Sequence, residues 1–281
     1  MIRIITDSAA DFSSDELRQY GVTMVPLQVT FGEDTYEDGV TLTPEIFWSR
    51  IMAGENPKTS QPSPDAFLSV FEEAKAAGDS VLCVLLSSAL SGTVQSATLA
   101  RSMADYDDIH IVDSLQAATA QKMLVLRACQ LRDEGKLSAA EAAEALRAFT
   151  RRIKLYACLD TLDYLARGGR IPQAAASLGS LVQLKVIVRI TEDGKVGMAG
   201  KGMGLHRVSA AVLKLAQQHQ IDTAYPVLPL YTYSPDNCLA FVKKLNQAGI
   251  ACREEDAMPV GATIGTHVGP GVFGLVFVEA E

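Results

Sequence analysis

Ser80-Val81-Leu82-Cys83-Val84-Leu85-Leu86, followed at once by Ser87-Ser88-Ala89-Leu90-Ser91-Gly92-Thr93, joins an unbroken apolar run to a cluster of hydroxyls and a glycine. A run without polar alternation predicts a strand buried on both faces, as in the middle of a parallel sheet. A helix is expected from Gly92 to Met103, so the hydroxyls sit at the carboxyl end of a central strand, where open parallel sheets bind ligands.

On either side of this segment the same rhythm continues. Ile2 to Ile5 reads as a strand, and Ser13 forms a capping box with Glu16 for a helix to about Tyr20. Thr23 to Phe31 reads as one extended strand, with Pro26 marking an edge or a bulge. Thr43-Pro44 and Ser63-Pro64 each pair an N-cap with proline at the first helical position, predicting helices over 44–52 and 64–77 with a loop at 56–62 between them. Ile109 to Val112 is a further strand, and helices follow over 116–134 and, opened by Ser138 and Glu141, over 138–150. Strands alternating with helices predict an α/β fold with a mostly parallel sheet.

The pattern changes after Arg151-Arg152-Ile153-Lys154. Strands are expected at 155–160 and 185–191, and Asp193-Gly194 predicts a hairpin into 195–199. Helices are expected at 162–167, 174–181 and 205–219 and after Ser234-Pro235, with strands at 224–233 and near Ile250 and Val272. The expected organisation is therefore two α/β domains, residues 1–152 with the mostly parallel sheet and residues 153–281 with a mixed sheet and helices.

Composition narrows the function. The chain has 281 residues, 48% hydrophobic and 21% charged, enough apolar material for a large core. Lys plus Arg total 25 and Asp plus Glu 33, a formal net charge of −8, which opposes the phosphate attraction on which nucleic-acid binders rely. Five cysteines, odd in number and without a C-x-x-C pair, suit a reducing cytoplasm, and the charges at Arg3 and Asp7 leave no room for a signal peptide. The uncharged runs 80–100 and 257–278 are broken by polar residues, glycine and proline, so no membrane span is expected.

Phosphate-loop, dinucleotide and nucleophile-elbow motifs are missing, and the four histidines lack metal-ligand spacing. What remains is a set of hydroxyl-rich loops: Thr6-Asp7-Ser8, Lys58-Thr59-Ser60-Gln61-Pro62-Ser63, Ser87 to Thr93 and Asp113-Ser114. Ser91-Gly92-Thr93 can hold an anion at the positive end of a helix, or Ser91 can be an N-cap and nothing more. Asp7 and Asp11 read as an acid–base or metal pair, or more simply as turn and cap residues. Gly168-Gly169-Arg170 is open to two readings, an anion clamp or a helix C-cap with an exposed arginine. His267 lies in the glycine-dense loop Gly265 to Gly271, whose backbone must pass close to a ligand or another chain segment. The small and apolar residues of 174–181 and 182–190 read as core, or as a pocket wall if something fills it.

Taken in order, Thr6-Asp7-Ser8-x-x-Asp11, Thr59-Ser60-Gln61-Pro62-Ser63, Ser87-Ser88-x-Leu90-Ser91-Gly92-Thr93, Val112-Asp113-Ser114, Leu165-x-x-Gly168-Gly169-Arg170-Ile171 and His267-Val268-Gly269-Pro270-Gly271 resemble the DegV family. The resemblance covers nearly the whole chain. It implies a protein that binds one long-chain fatty acid such as palmitate, with the carboxylate between the domains and the acyl chain in an apolar tunnel of the second. It further implies a cytoplasmic carrier without metal, cofactor or catalytic residues, touching a membrane transiently at most. Such a carrier presents its ligand to the ATP-binding subunit of a fatty acid kinase for acyl-phosphate formation. By motif, Thr59 and Ser91 bond the carboxylate, with Ser60, Gly92, Thr93, Arg170 and His267 near the head group. Two positions depart from the family pattern: Lys185-Val186-Ile187 where a proline is usual, and Met203 where arginine is common. The competing reading is a small-molecule acyl- or phosphoryl-transfer enzyme with Ser91 as nucleophile and His267 as base.

Overall fold

A computed structural model of the chain describes residues 1–173 and 184–281. The helix expected over 174–181, and the pocket wall expected from residues 174–183, lie outside the described residues.

The first sheet has four parallel strands: β1 (Ile2–Asp7), β2 (Val22–Val25), β6 (Ser80–Leu85) and β7 (Ile109–Asp113), in the order β2-β1-β6-β7. β6 lies between β1 and β7, in register through Ile4 with Leu82 and Val84 with Val112. Val81 to Leu86 are completely or almost completely buried, as an unbroken apolar run requires. Capping boxes form at Ser13 with Glu16 and at Ser138 with Glu141, and the helices Pro44–Met52 and Pro64–Ala77 keep their expected bounds.

The extended stretch before Phe31 divides. β2 stays in the parallel sheet, whereas β3 (Gln28–Phe31) leaves it after Pro26 and Leu27 to join β4 (Asp34–Glu37) and β5 (Lys58–Ser60) in a separate antiparallel sheet, β4-β3-β5. The expected loop at 56–62 is thus partly a strand: Thr59 is paired with Val29.

The second large sheet is mixed, in the order β10-β9-β8-β13-β11-β12, with β8 (Ile153–Leu159), β9 (Leu184–Ile190), β10 (Val196–Met203), β11 (Leu228–Tyr231), β12 (Met258–Pro259) and β13 (Phe273–Val278). Gly194, at φ 76°, turns the β9–β10 hairpin. Among the described residues, only β11 and β12 run parallel in this sheet. The strand expected near Ile250 is replaced by the short β12 further along the chain.

One helix joins the two sheets. Most residues of Ala118–Glu134 up to Leu131 are buried, and Met123, Leu124, Val125 and Ala128 share a core with Ile4, Leu82 and Val84 on one side and Leu155, Ala157 and Val276 on the other. A helix buried around its circumference must be covered on several sides. Here it is held between two sheets, and the space at its amino-terminal end becomes the site. Among the described residues, no helix is long and apolar enough to cross a membrane.

Candidate functional site

A cavity of about 360 Å³ opens where the carboxyl ends of the first sheet meet the face of the second. That volume lies within the range of small-molecule sites. Its apolar wall comes from both sheets: Leu86 and Leu90 follow β6, Leu155, Ala157 and Leu159 lie on β8, and Val188, Ile190 and Val196 on the β9–β10 hairpin. Ala117 and Ala118 close it at the start of the central helix, and Ile264 and Val268 add a further side. Polar groups are confined to a few residues: Thr59, Ser60, Gln61, Ser91, Gly92, Arg170, Thr263 and His267.

The short helix Ala262–Val268 carries His267, so the glycine-dense stretch expected to be a loop is largely helical. Close approach explains its glycines. A Cβ at Gly265 would lie 2.8 Å from the Phe47 ring, and one at Gly269, whose φ is 74°, 2.5 Å from Tyr164. Two carboxylates hold the entry to this helix: Asp38 accepts from the Ala262 and Thr263 amides at 3.3 and 3.2 Å, and Asp11 from the Gly261 amide at 2.9 Å. Burial, reinforced at Asp11 by the neighbouring Asp38 charge, pushes both carboxyls upward. Asp7 accepts from the Ala9 and Leu86 amides at 3.0 and 2.7 Å, and burial raises it to about 6. Asp7 and Asp11 therefore act as backbone acceptors that fix Leu86 and the His267 helix, and no cluster of metal-ligating groups forms among the described residues.

His267 is buried, and its Nε2 lies 2.8 Å from Thr59 Oγ1. Its Nδ1 has no partner among the described residues and faces Gly168, where a Cβ would lie 2.1 Å away. Burial, with the Arg170 charge second, lowers the imidazole to about 4, so the ring is neutral near pH 7. Gly168 is the C-cap of the helix Asp163–Arg167 and turns the chain so that Arg170 reaches the cavity. The Arg170 Nε donates to the Leu90 carbonyl at 3.1 Å, and burial lowers its affinity for its proton. Its protein acceptors are the carbonyls of Leu90 and Gly168, and no carboxylate pairs with it among the described residues.

On the opposite side, Gly92 is the N-cap of the helix Thr93–Ala104, and among the described residues no side chain caps its first turn. Ser91 Oγ lies 2.8 Å from Thr93 Oγ1 instead. Thr93 is fully buried behind Ser91 and does not line the cavity. Ser60 borders the cavity, but its hydroxyl donates to Gln28 Oε1 at 3.4 Å. Gln61, given no role on sequence grounds, lies over Gly92, where a Cβ would meet its amide oxygen at 1.9 Å, and donates to Ser96 Oγ at 2.8 Å. Ser87 Oγ donates to the Gly194 carbonyl at 2.8 Å, tying the first sheet to the β9–β10 hairpin. The structure thus gathers Thr59, Ser91, Gly92, Arg170 and His267 around one cavity. Among the described residues Ser91 and His267 are not hydrogen-bonded to each other; each meets a different threonine.

Known proteins resemble this chain along its entire length. The DegV family model, described as an uncharacterised protein of the DegV family, matches residues 1–280. The chain belongs to the DegV family. A DegV domain-containing protein from Caldanaerobacter subterraneus subsp. tengcongensis is 32% identical over 99% of both chains. Among solved structures, a DegV family protein from Thermus thermophilus, described by its fatty acid binding, superimposes with a TM-score of 0.86 at 32% identity over 99% of both chains. A stearic acid-binding protein from Eubacterium ventriosum gives a TM-score of 0.87 at 28% identity, covering 99% of this DegV chain and 98% of its own.

Proposed function

We propose that this DegV protein binds one long-chain fatty acid, with the carboxylate at Thr59 and Ser91 and the acyl chain along the apolar wall of the cavity. The observation that carries this reading is the division of a single cavity into an extended aliphatic wall and a polar group containing an arginine without a carboxylate partner among the described residues. Burial of each methylene contributes about 0.8 kcal/mol, so a chain of ~15 carbons offers on the order of 10 kcal/mol before ordering costs. Each hydroxyl bonded to a carboxylate adds about 1.5 to 3 kcal/mol before desolvation. The tail accordingly sets affinity, and the hydroxyls set register and direction.

In this reading residues 1–152 supply the carboxylate-binding loops and residues 153–281 most of the tunnel. The chain is a cytoplasmic carrier without a catalytic group of its own, presenting the carboxylate to a separate ATP-dependent kinase subunit. Fatty acid binding by the Thermus and Eubacterium relatives supports the ligand class. The test is displacement of a fluorescent fatty acid by palmitic acid and by hexadecanol. Palmitic acid is expected to compete at least about tenfold better, the value of one retained charge-assisted contact. Equal competition would contradict the carboxylate site.

A further inference from the structure

Behind the Thr59–His267 wall lies a second hollow, an outer groove of about 490 Å³ that shares Thr59, Arg170 and His267 with the inner cavity. Its outer side is formed by Asn56, Lys58, Tyr164 and Arg167. None of its lining residues is acidic, in a chain whose formal net charge is −8. Cations elsewhere are neutralised: Arg50 pairs with Asp34 and Glu55, and Lys185 with Asp160. Among the described residues, Lys58, Arg167 and Arg170 have no such partner.

Arg167 is already oriented. Its guanidinium lies 4.6 Å from the centre of the Tyr164 ring and donates to Asn56 Oδ1 through one nitrogen, leaving most of its five donors unused. A planar guanidinium fork with a lysine beside it matches the oxygens of a phosphate group. Charge points the same way. Lys58, Arg167 and Arg170 place three cations around the groove, more than the single charge of a carboxylate or the two of a phosphate dianion requires.

We propose that the outer groove is a second anion site, taking a phosphate group beside the ligand's head group, with Lys58 and Arg167 as its principal contacts. This rests on the reading of the inner cavity as a carboxylate site. The phosphate can be part of the ligand, joined to its carboxyl carbon through oxygen, or a free phosphate entering from solvent.

The experiment compares wild type with the Lys58→Gln/Arg167→Gln double variant, both substitutions lying on exposed side chains. Three probes are titrated at low salt: a long-chain acid, the 2-oxoalkylphosphonate of matching length as a stable isostere of the acyl phosphate, and inorganic phosphate added to acid-loaded protein. The acid is expected to bind both proteins within about threefold, because Lys58 and Arg167 are exposed and do not line the inner cavity that holds the carboxylate. The phosphonate is expected to lose about tenfold in the double variant, with a weaker salt dependence. Loss of phosphonate binding alone identifies the ligand-borne phosphate, and loss of inorganic phosphate binding identifies the free anion. If neither probe distinguishes the two proteins while the acid binds both, the groove is not an anion site. If the acid binds neither protein, the carboxylate reading fails, and the inorganic phosphate arm, run on unloaded protein, still decides for or against the groove.

Discussion

Thr59 and His267, 208 residues apart in the chain, meet through a 2.8 Å hydrogen bond between Oγ1 and Nε2. This contact closes the polar end of the cavity. It joins a short strand of the antiparallel sheet to a helix that the sequence places near the carboxyl terminus, and its removal has consequences for both folding and binding.

Thr59→Val keeps the shape of the side chain and removes the hydroxyl, leaving both His267 nitrogens without a partner among the described residues. Stability is expected to fall by about 1 to 3 kcal/mol, the cost of an unsatisfied buried polar group, as read from urea unfolding. Thr59→Ala combined with Ser91→Ala is expected to leave a folded protein that binds fatty acid at least about tenfold more weakly. Unchanged affinity in that folded double variant would remove both hydroxyls from the head-group site.

Burial takes the His267 imidazole from its ordinary 6.5 to about 4. Between those values the unfolded chain binds a proton that the folded chain does not, so this contribution is intact above about pH 6.5 and is lost as pH falls toward 4. Its size is about 3 kcal/mol. Asp7 works the other way: raised to about 6, it holds its proton more tightly when folded and offsets part of the loss over the same range. The isolating measurement is therefore the stability difference between wild type and His267→Asn, followed from pH 7 to pH 4. Wild type is expected to lose more on acidification, and parallel curves would contradict the neutral, buried ring.

Two glycines distinguish rigid from yielding neighbours. At Gly168 an added Cβ meets the buried His267 ring, and at Gly92 it meets the flexible end of Gln61. Gly168→Ala is expected to cost about 1 to 3 kcal/mol and to weaken ligand binding, as overpacking against a fixed ring does. Gly92→Ala is expected to cost less, because Gln61 can swing away at the expense of its bond to Ser96. Thermal unfolding and acid titration of the two variants test the order.

Asp38 caps the helix that carries His267. Asp38→Ala is expected to lower stability by about 1 to 2 kcal/mol, as loss of an N-cap does, and to weaken binding through the displaced His267. Asp38→Asn keeps an acceptor and removes a buried charge, so its loss is expected to be smaller. The comparison requires only unfolding curves at neutral pH.

The strand Ser80–Leu85 was legible because an unbroken apolar run has few other uses, and the capped helices were legible because caps are local chemistry. Long-range partners decided the rest. Thr23 to Phe31 is one extended stretch in sequence, yet Pro26 and Leu27 carry it out of the parallel sheet, and β3 exists through pairing with Glu37 to Asp34 and Ser60 to Lys58. The stretch around His267 reads as a loop from its glycines, whereas Asp38 caps it and Gly265 lets it lie against Phe47. Of the site, the hydroxyl loops and Arg170 were visible as motifs. Asp38 carried no local signal, since its role depends on a helix 224 residues further along. Gln61 stood inside a recognised motif, but its closure over Gly92 depends on the fold.

The most direct measurement of the central claim is native mass spectrometry of the purified protein, followed by denaturation and solvent extraction of what is released. The account predicts a non-covalent adduct whose mass matches one long-chain fatty acid per chain, or uptake of one equivalent when acid is added. A protein that is isolated empty and takes up no added fatty acid would contradict it.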